Sequence, residues 1–160
     1  MRYVIPAVIL GVLLIYFIFT GGDDDPSEIE AVFNEIIESV REKDEDGVLE
    51  HFSIHYQDEQ GYNYLVIKKI VGDVFSKFDS LDASFGNISV SLSEDENEDK
   101  LAYTKVGVKA EGVRGGIPET LLGSDGSFDD IMVTLKKSTL GGWKIIEIEG
   151  VNKYGETGVY

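Results

Sequence analysis

The chain has 160 residues, no cysteine and a formal net charge of −16. That length suits a single domain with a sizeable core, and the missing cysteines exclude disulfides, thiolate metal sites and cysteine nucleophiles. So negative a surface repels phosphate backbones and anionic lipid, and the lysine pairs Lys68-Lys69 and Lys136-Lys137 are too small to reverse that, so no nucleic-acid partner is expected.

Residues 3–20, YVIPAVILGVLLIYFIFT, carry no charge. As a helix they would extend ~27 Å, close to the hydrocarbon thickness of a bilayer. Pro6 falls near the first turn, where a missing N–H costs least. Arg2 precedes the run, and Asp23, Asp24 and Asp25 follow it with all the other acids. Positive charge stays cytoplasmic, so the expectation is a signal-anchor over 1–22, with the N-terminus inside and the domain outside. A cleaved signal peptide and a buried core helix are the competing readings. The run is long for a signal h-region, and no A-x-A site follows.

After a linker over 23–26 the expected domain spans 27–151. Asp25 is placed to cap a first helix and Pro26 to occupy its first position. Ile29, Val32, Phe33, Ile36, Ile37 and Val40 then form an apolar stripe. The pattern breaks at 44–46, and a short second helix is expected through Val48, Leu49 and Phe52. Residues 53–63 have turn composition. A third helix begins near Asn63, with Tyr64, Ile67, Val71, Val74, Phe75 and Phe78 on one face.

Beyond Asp79 the period becomes two. Leu81, Ala83 and Phe85 alternate, the phase flips at Gly86-Asn87, and Ile88, Val90 and Leu92 continue; a flip beside glycine predicts a β-bulge. A charged turn, 93–100, leads to a strand that reads as flipping phase as well, from Leu101 and Tyr103 to Val106, Val108 and Ala110. The glycine-rich stretch 112–127 reads as a loop. Two further strands, 128–137 and 143–151, are joined by a hairpin at Gly141-Gly142, and 152–160 reads as a tail. Helices followed by antiparallel strands predict an α+β fold, with three helices packed on one face of a curved sheet of four or more strands.

Three segments carry a family resemblance: ESVREKDEDGVLEHF, FSIHYQDEQGYN and IMVTLKKSTLGGWKIIEIE. With their Y-x-D-x-x-G turn and G-x-W-x-I last strand, residues 27–151 resemble the nuclear transport factor 2-like (SnoaL-like, cystatin-like) superfamily. The resemblance implies a cone, a curved sheet wrapped over helices with a pocket at its open end. It implies isomerase or dehydratase activity in some members, and dimerisation, partner binding or ligand binding in others. It also implies structural roles in the turn. Tyr56 would plug the junction of helix and sheet, Asp58 would accept backbone N–H groups, and Gly61 would supply a permissive backbone angle.

A pocket isomerase needs a general base and an acid or oxyanion donor facing one cavity. The candidates are His55 or Asp58 as base and Tyr56 or Tyr103 as acid, with Tyr62 and Trp143 as pocket walls. His51 and His55 stand four apart, as in H-E-x-x-H zinc sites, but lack the glutamate. Asp95, Asn97 and Asp99 take the first positions of a calcium loop, yet Lys100 and Val106 stand where glycine and glutamate belong. No metal or cofactor is therefore expected. The preferred reading is a membrane-tethered, non-enzymatic domain that binds a protein partner, its own copy or a small apolar ligand. The alternative is an isomerase or dehydratase.

Overall fold

The computed structural model describes residues 24–124, 126–140 and 142–151. The expected membrane segment and the tail over 152–160 lie outside the described residues. Among the described residues no helix is long and apolar enough to cross a membrane.

Helix α1 runs Asp25–Glu42, α2 Glu45–Leu49 and α3 Tyr64–Lys77. The N-cap of α1 is Asp24, which makes no side-chain capping bond. Asp25, the residue expected to cap it, is the first helical residue. Its carboxylate points away from the helix amides, to Lys100 Nζ at 3.0 Å and Lys137 Nζ at 2.6 Å. Two ammonium groups hold it more strongly than a backbone N–H would. Lys43 ends α1 in the left-handed region. Asp44 then caps α2 through Gly47 N, and Asn63 caps α3 through Val66 N, at the position the sequence predicts.

The second helix stops at Leu49, short of Phe52. Residues 51–57 leave it to run along the last strand. Ser53 N donates to Ile145 O at 2.8 Å, and Gln57 N to Ile146 O at 3.1 Å. The free edge of a strand offers this segment the partners that another helical turn would otherwise supply.

Five antiparallel strands follow: β1 Ser80–Glu94, β2 Lys100–Arg114, β3 Ile117–Leu122, β4 Asp129–Lys137 and β5 Trp143–Glu149. They form one curved sheet in the order β1-β2-β4-β5. β4 pairs with β2 over residues 101–108, and β3 pairs with the continuation of β2 over 110–114. The bulge in β1 lies where expected. Gly86 pairs with Gly107 and Ser89 with Lys105, and Asn87 adopts φ 54. The extra residue puts Phe85 and Ile88 on the same face of the sheet.

Two strand expectations need correction. β2 does not change phase near Tyr103. Ala102, Thr104 and Val106 are buried, and Tyr103 lies on the opposite, outer face at 43% exposure. Ala102 and Val106 join Ile29, Val32 and Phe33 of α1 in the core, and an apolar count that favours Leu and Tyr over Ala and Thr reads the wrong face. The stretch 112–127 is also not all loop. Gly115 and Gly116, with φ 59 and 79, make a two-residue turn between Arg114 and Ile117, and β3 returns along β2. Pro118 fits because β3 is an edge strand.

The core joins Ile29, Val32 and Phe33 of α1 to Ala102, Val106, Val133, Leu135, Trp143 and Ile145 of the sheet. A bulge in β5 opposite Thr134 and Leu135 brings both Ile145 and Ile148 onto this face.

Candidate functional site

A cavity of about 250 Å³, partly open to solvent, lies between α1, α3 and the sheet. Its origin is visible in the residues. Helix α3 supplies Val71, Val74 and Phe75 of its stripe, together with Ile70, yet no residue of that helix is fully buried. The sheet opposite is floored by Ala83 and Ala110, which are directly paired across β1 and β2. Two methyl groups where longer side chains could stand leave the space under α3 unfilled. Phe33, Ile36, Ile37 and Val40 of α1 close a second side, and Leu121 and Leu122 of β3 a third.

Among the described residues that line this cavity, only Asp82 and Lys109 are charged. Both serve at its rim. Arg41 donates to Asp82 Oδ1 at 2.7 Å and to the Ala83 carbonyl at 3.0 Å. That hydrogen bond from Arg41 holds the Asp82 carboxyl below its usual range. Lys109 pairs with Glu111 at 3.2 Å. A site of this composition can take up apolar molecules, and none of its described lining residues places a proton-transfer group deep inside.

The residues singled out from the sequence are dispersed. Tyr56 is buried at 2% exposure and packs edge-on against Phe52. Its hydroxyl donates to Asp58 Oδ2 at 3.0 Å. Burial, and then the Asp58 carboxylate, push the Tyr56 phenol well above its ordinary value, so it is a poor proton donor. Asp58 Oδ1 accepts from Gln60 N and Tyr62 N, both at 2.9 Å, and Gly61 takes φ 82. This is the arrangement that the resemblance implies for a fold-determining turn. Tyr62 is half-buried against the core, and Trp143 lies within it at 2% exposure. His55 is exposed in a separate surface groove beside Lys136, Lys137 and Lys144, while Tyr103 is on the far side of the sheet. None of these six lines the cavity.

His51 and His55 do not share a helix. His51 is buried and His55 exposed, both beyond the end of α2. In the acidic turn, Asp95 Oδ1 accepts from Asn97 N and Asp99 N. Asp95 Oδ2 and Asp99 Oδ2 each lie 2.8 Å from Lys136 Nζ, so an ammonium group already bridges the two carboxylates.

The α1 and α3 stripes are legible in the sequence, whereas the sheet side of the cavity is not. Leu121 and Leu122 were hidden in an apparent loop, and Ala83 and Ala110 matter through what they leave empty. The Gly115-Gly116 pair flanked by Val113 and Ile117 is the signal that could have revealed β3.

No family model matches this chain, and no curated protein does. Solved structures share its fold. A nuclear transport factor 2-like superfamily protein from Salmonella enterica is 16% identical, with a TM-score of 0.61 over 84% of this chain and 96% of its own. A candidate scytalone dehydratase from Novosphingobium aromaticivorans is 14% identical, with a TM-score of 0.63 over 78% and 80%. A protein of unknown function with a cystatin-like fold from Nostoc punctiforme is 15% identical, with a TM-score of 0.55 over 78% and 87%. The described domain therefore has the nuclear transport factor 2-like, cystatin-like fold. At these identities the likeness concerns the fold, and function has to be argued from the site.

Proposed function

We propose that this chain is a membrane-tethered binding module, held by residues 3–20 with its domain outside the cytoplasm, and that the cavity under α3 receives a small apolar ligand. The observation that carries the ligand reading is the cavity's lining, apolar on every side with its two charged residues at the rim. A dry apolar cavity of about 150 Å³ is enough for benzene. About 250 Å³ has room for a fused ring pair or a short acyl chain. An isomerase or dehydratase would need a base facing this space. Asp82 is the only carboxylate among the described lining residues, and it is engaged by Arg41.

Ala110→Phe would occupy the cavity from the sheet side. In a fragment of residues 24–151, which contains the whole described core, the naphthylamine probe 1-N-phenylnaphthylamine is expected to bind saturably at one site. The variant should lose that fluorescence at least ~10-fold while keeping its circular dichroism, and should gain up to ~1 kcal/mol from the filled space. Equal probe binding in both proteins would refute the cavity as the ligand site.

The tether has its own test. The chain lacks cysteine, so Leu140→Cys, at a position 98% exposed in the β4–β5 turn, places a single thiol on the domain. A membrane-impermeant maleimide should label it in intact cells. Labelling only after the cells are broken would reverse the assigned topology.

A further inference from the structure

A second feature lies on the other side of α1, away from the cavity. His51, just after α2, is buried at 6% exposure, and its Nε2 makes no hydrogen bond among the described residues. A buried polar nitrogen without a hydrogen bond carries a desolvation cost. This nitrogen is not in an apolar pocket. Glu35 Oε2 of α1 stands 3.3 Å away and Glu50 Oε1, at the end of α2, 3.6 Å away. The three donor atoms all lie within 4.8 Å of one another. Both glutamates are largely exposed, and all three residues line a groove of about 520 Å³ with Glu38, Asp44 and Asp46.

We propose that His51 Nε2, Glu35 and Glu50 form a binding site for a divalent transition-metal ion of the zinc class. The distances suit such an ion. Zinc bonds to imidazole and carboxylate of about 2.1 Å place neighbouring tetrahedral donors roughly 3.4 Å apart. The two nitrogen–oxygen separations bracket that value, so an ion could sit between the donors with little movement of the buried ring. The exposed glutamate side chains are free to adjust. The donor set favours zinc or cobalt over calcium or magnesium, because imidazole is a poor ligand for hard cations. Two carboxylates balance the ion's charge, and three more acids around the groove favour its approach. Burial also holds the imidazole below its usual value, against the opposing pull of Glu35 and Glu50, which favours the neutral ring that a metal requires. Three protein donors leave a fourth position facing the groove.

This site differs from the His51–His55 pair considered from sequence, and the chain's two histidines make it simple to test. The full chain in detergent, stripped with a chelator, would be titrated with zinc by calorimetry in excess magnesium and calcium, which occupy non-specific acidic surface. One equivalent of zinc should bind. E35Q and E50Q, both on exposed side chains, should each weaken binding at least ~10-fold, H51Q should abolish it, and H55Q should leave it unchanged. On zinc addition the ¹⁵N resonance of His51 Nε2 should shift, while that of His55 stays in place. Zinc uptake that survives both E35Q and E50Q would overturn the proposal. So would an imidazole that responds to pH but not to zinc, which would make the triad an ion pair alone.

Discussion

Trp143→Ala is expected to destabilise the domain by about 3–5 kcal/mol, the usual cost of deleting a large buried aromatic. Trp143 opens β5 at 2% exposure and packs in the cluster that joins α1 to the sheet. A loss of that size is a large fraction of the ~5–15 kcal/mol that holds most domains together. Trp143→Phe should cost much less, about 1–2 kcal/mol. Among the described residues the buried indole Nε1 has no hydrogen-bond partner, so phenylalanine discards that donor while keeping most of the apolar contact. Urea unfolding followed by far-ultraviolet circular dichroism measures both, since the substitution removes the chain's one tryptophan fluorophore. If Trp143→Ala shifted the midpoint by no more than Trp143→Phe, the side chain would not be packing as described.

Asp25→Asn is expected to cost about 2 kcal/mol at neutral pH, and almost nothing in strong acid. Asp25 is buried at 2% exposure and joins the start of α1 to Lys100 at the start of β2 and Lys137 at the end of β4. Breaking a fully buried pair costs about 3–5 kcal/mol. The lysines here are partly exposed, at 37% and 22%, and Lys137 also pairs with Glu28, so the lower figure is appropriate. Burial opposes the charge on Asp25, but the hydrogen bonds from Lys137 and Lys100 outweigh it and bring the carboxyl below its ordinary value of 3.8. A carboxyl with a lowered folded pKa stabilises fully above its unfolded value, and that contribution is lost as pH falls through the folded one. Urea midpoints of wild type and Asp25→Asn should therefore differ at pH 5–7 and converge as pH falls below the ordinary carboxyl value of 3.8 and through the lowered folded one. A gap that persists in acid would mean that the asparagine disturbs the helix start for reasons other than charge.

The contrast between Asp25 as a capping residue and Asp25 as a three-way electrostatic tie shows where local reading stops. The residues around it, Pro26 and the run from Ile29, announce a helix start by composition alone. That Lys100 and Lys137 arrive beside it depends on sheet pairing, since they lie 75 and 112 residues further along the chain. The turn at 56–62 was more legible, because its bonds are short-range. Asp58 reaches amides two and four residues ahead of it, a geometry that sequence spacing nearly dictates. Asn63 and Gly86-Asn87 were readable for the same reason, since a cap and a bulge are each set within a few residues.

Periodicity, turn chemistry and the resemblance of three segments were enough to determine the α+β order, the helix stripes, the first bulge and the closing hairpin, because each is written within one element. The tertiary structure alone decided that Ala102 and Thr104 face inward while Tyr103 does not, that β3 exists, and that Ala83 meets Ala110 beneath a helix too high to fill the gap. It also decided that Glu35 of α1 arrives beside His51 and Glu50, just past the end of α2. Those outcomes depend on which faces oppose one another and on the volume left between them, and neither quantity belongs to any single stretch of the chain.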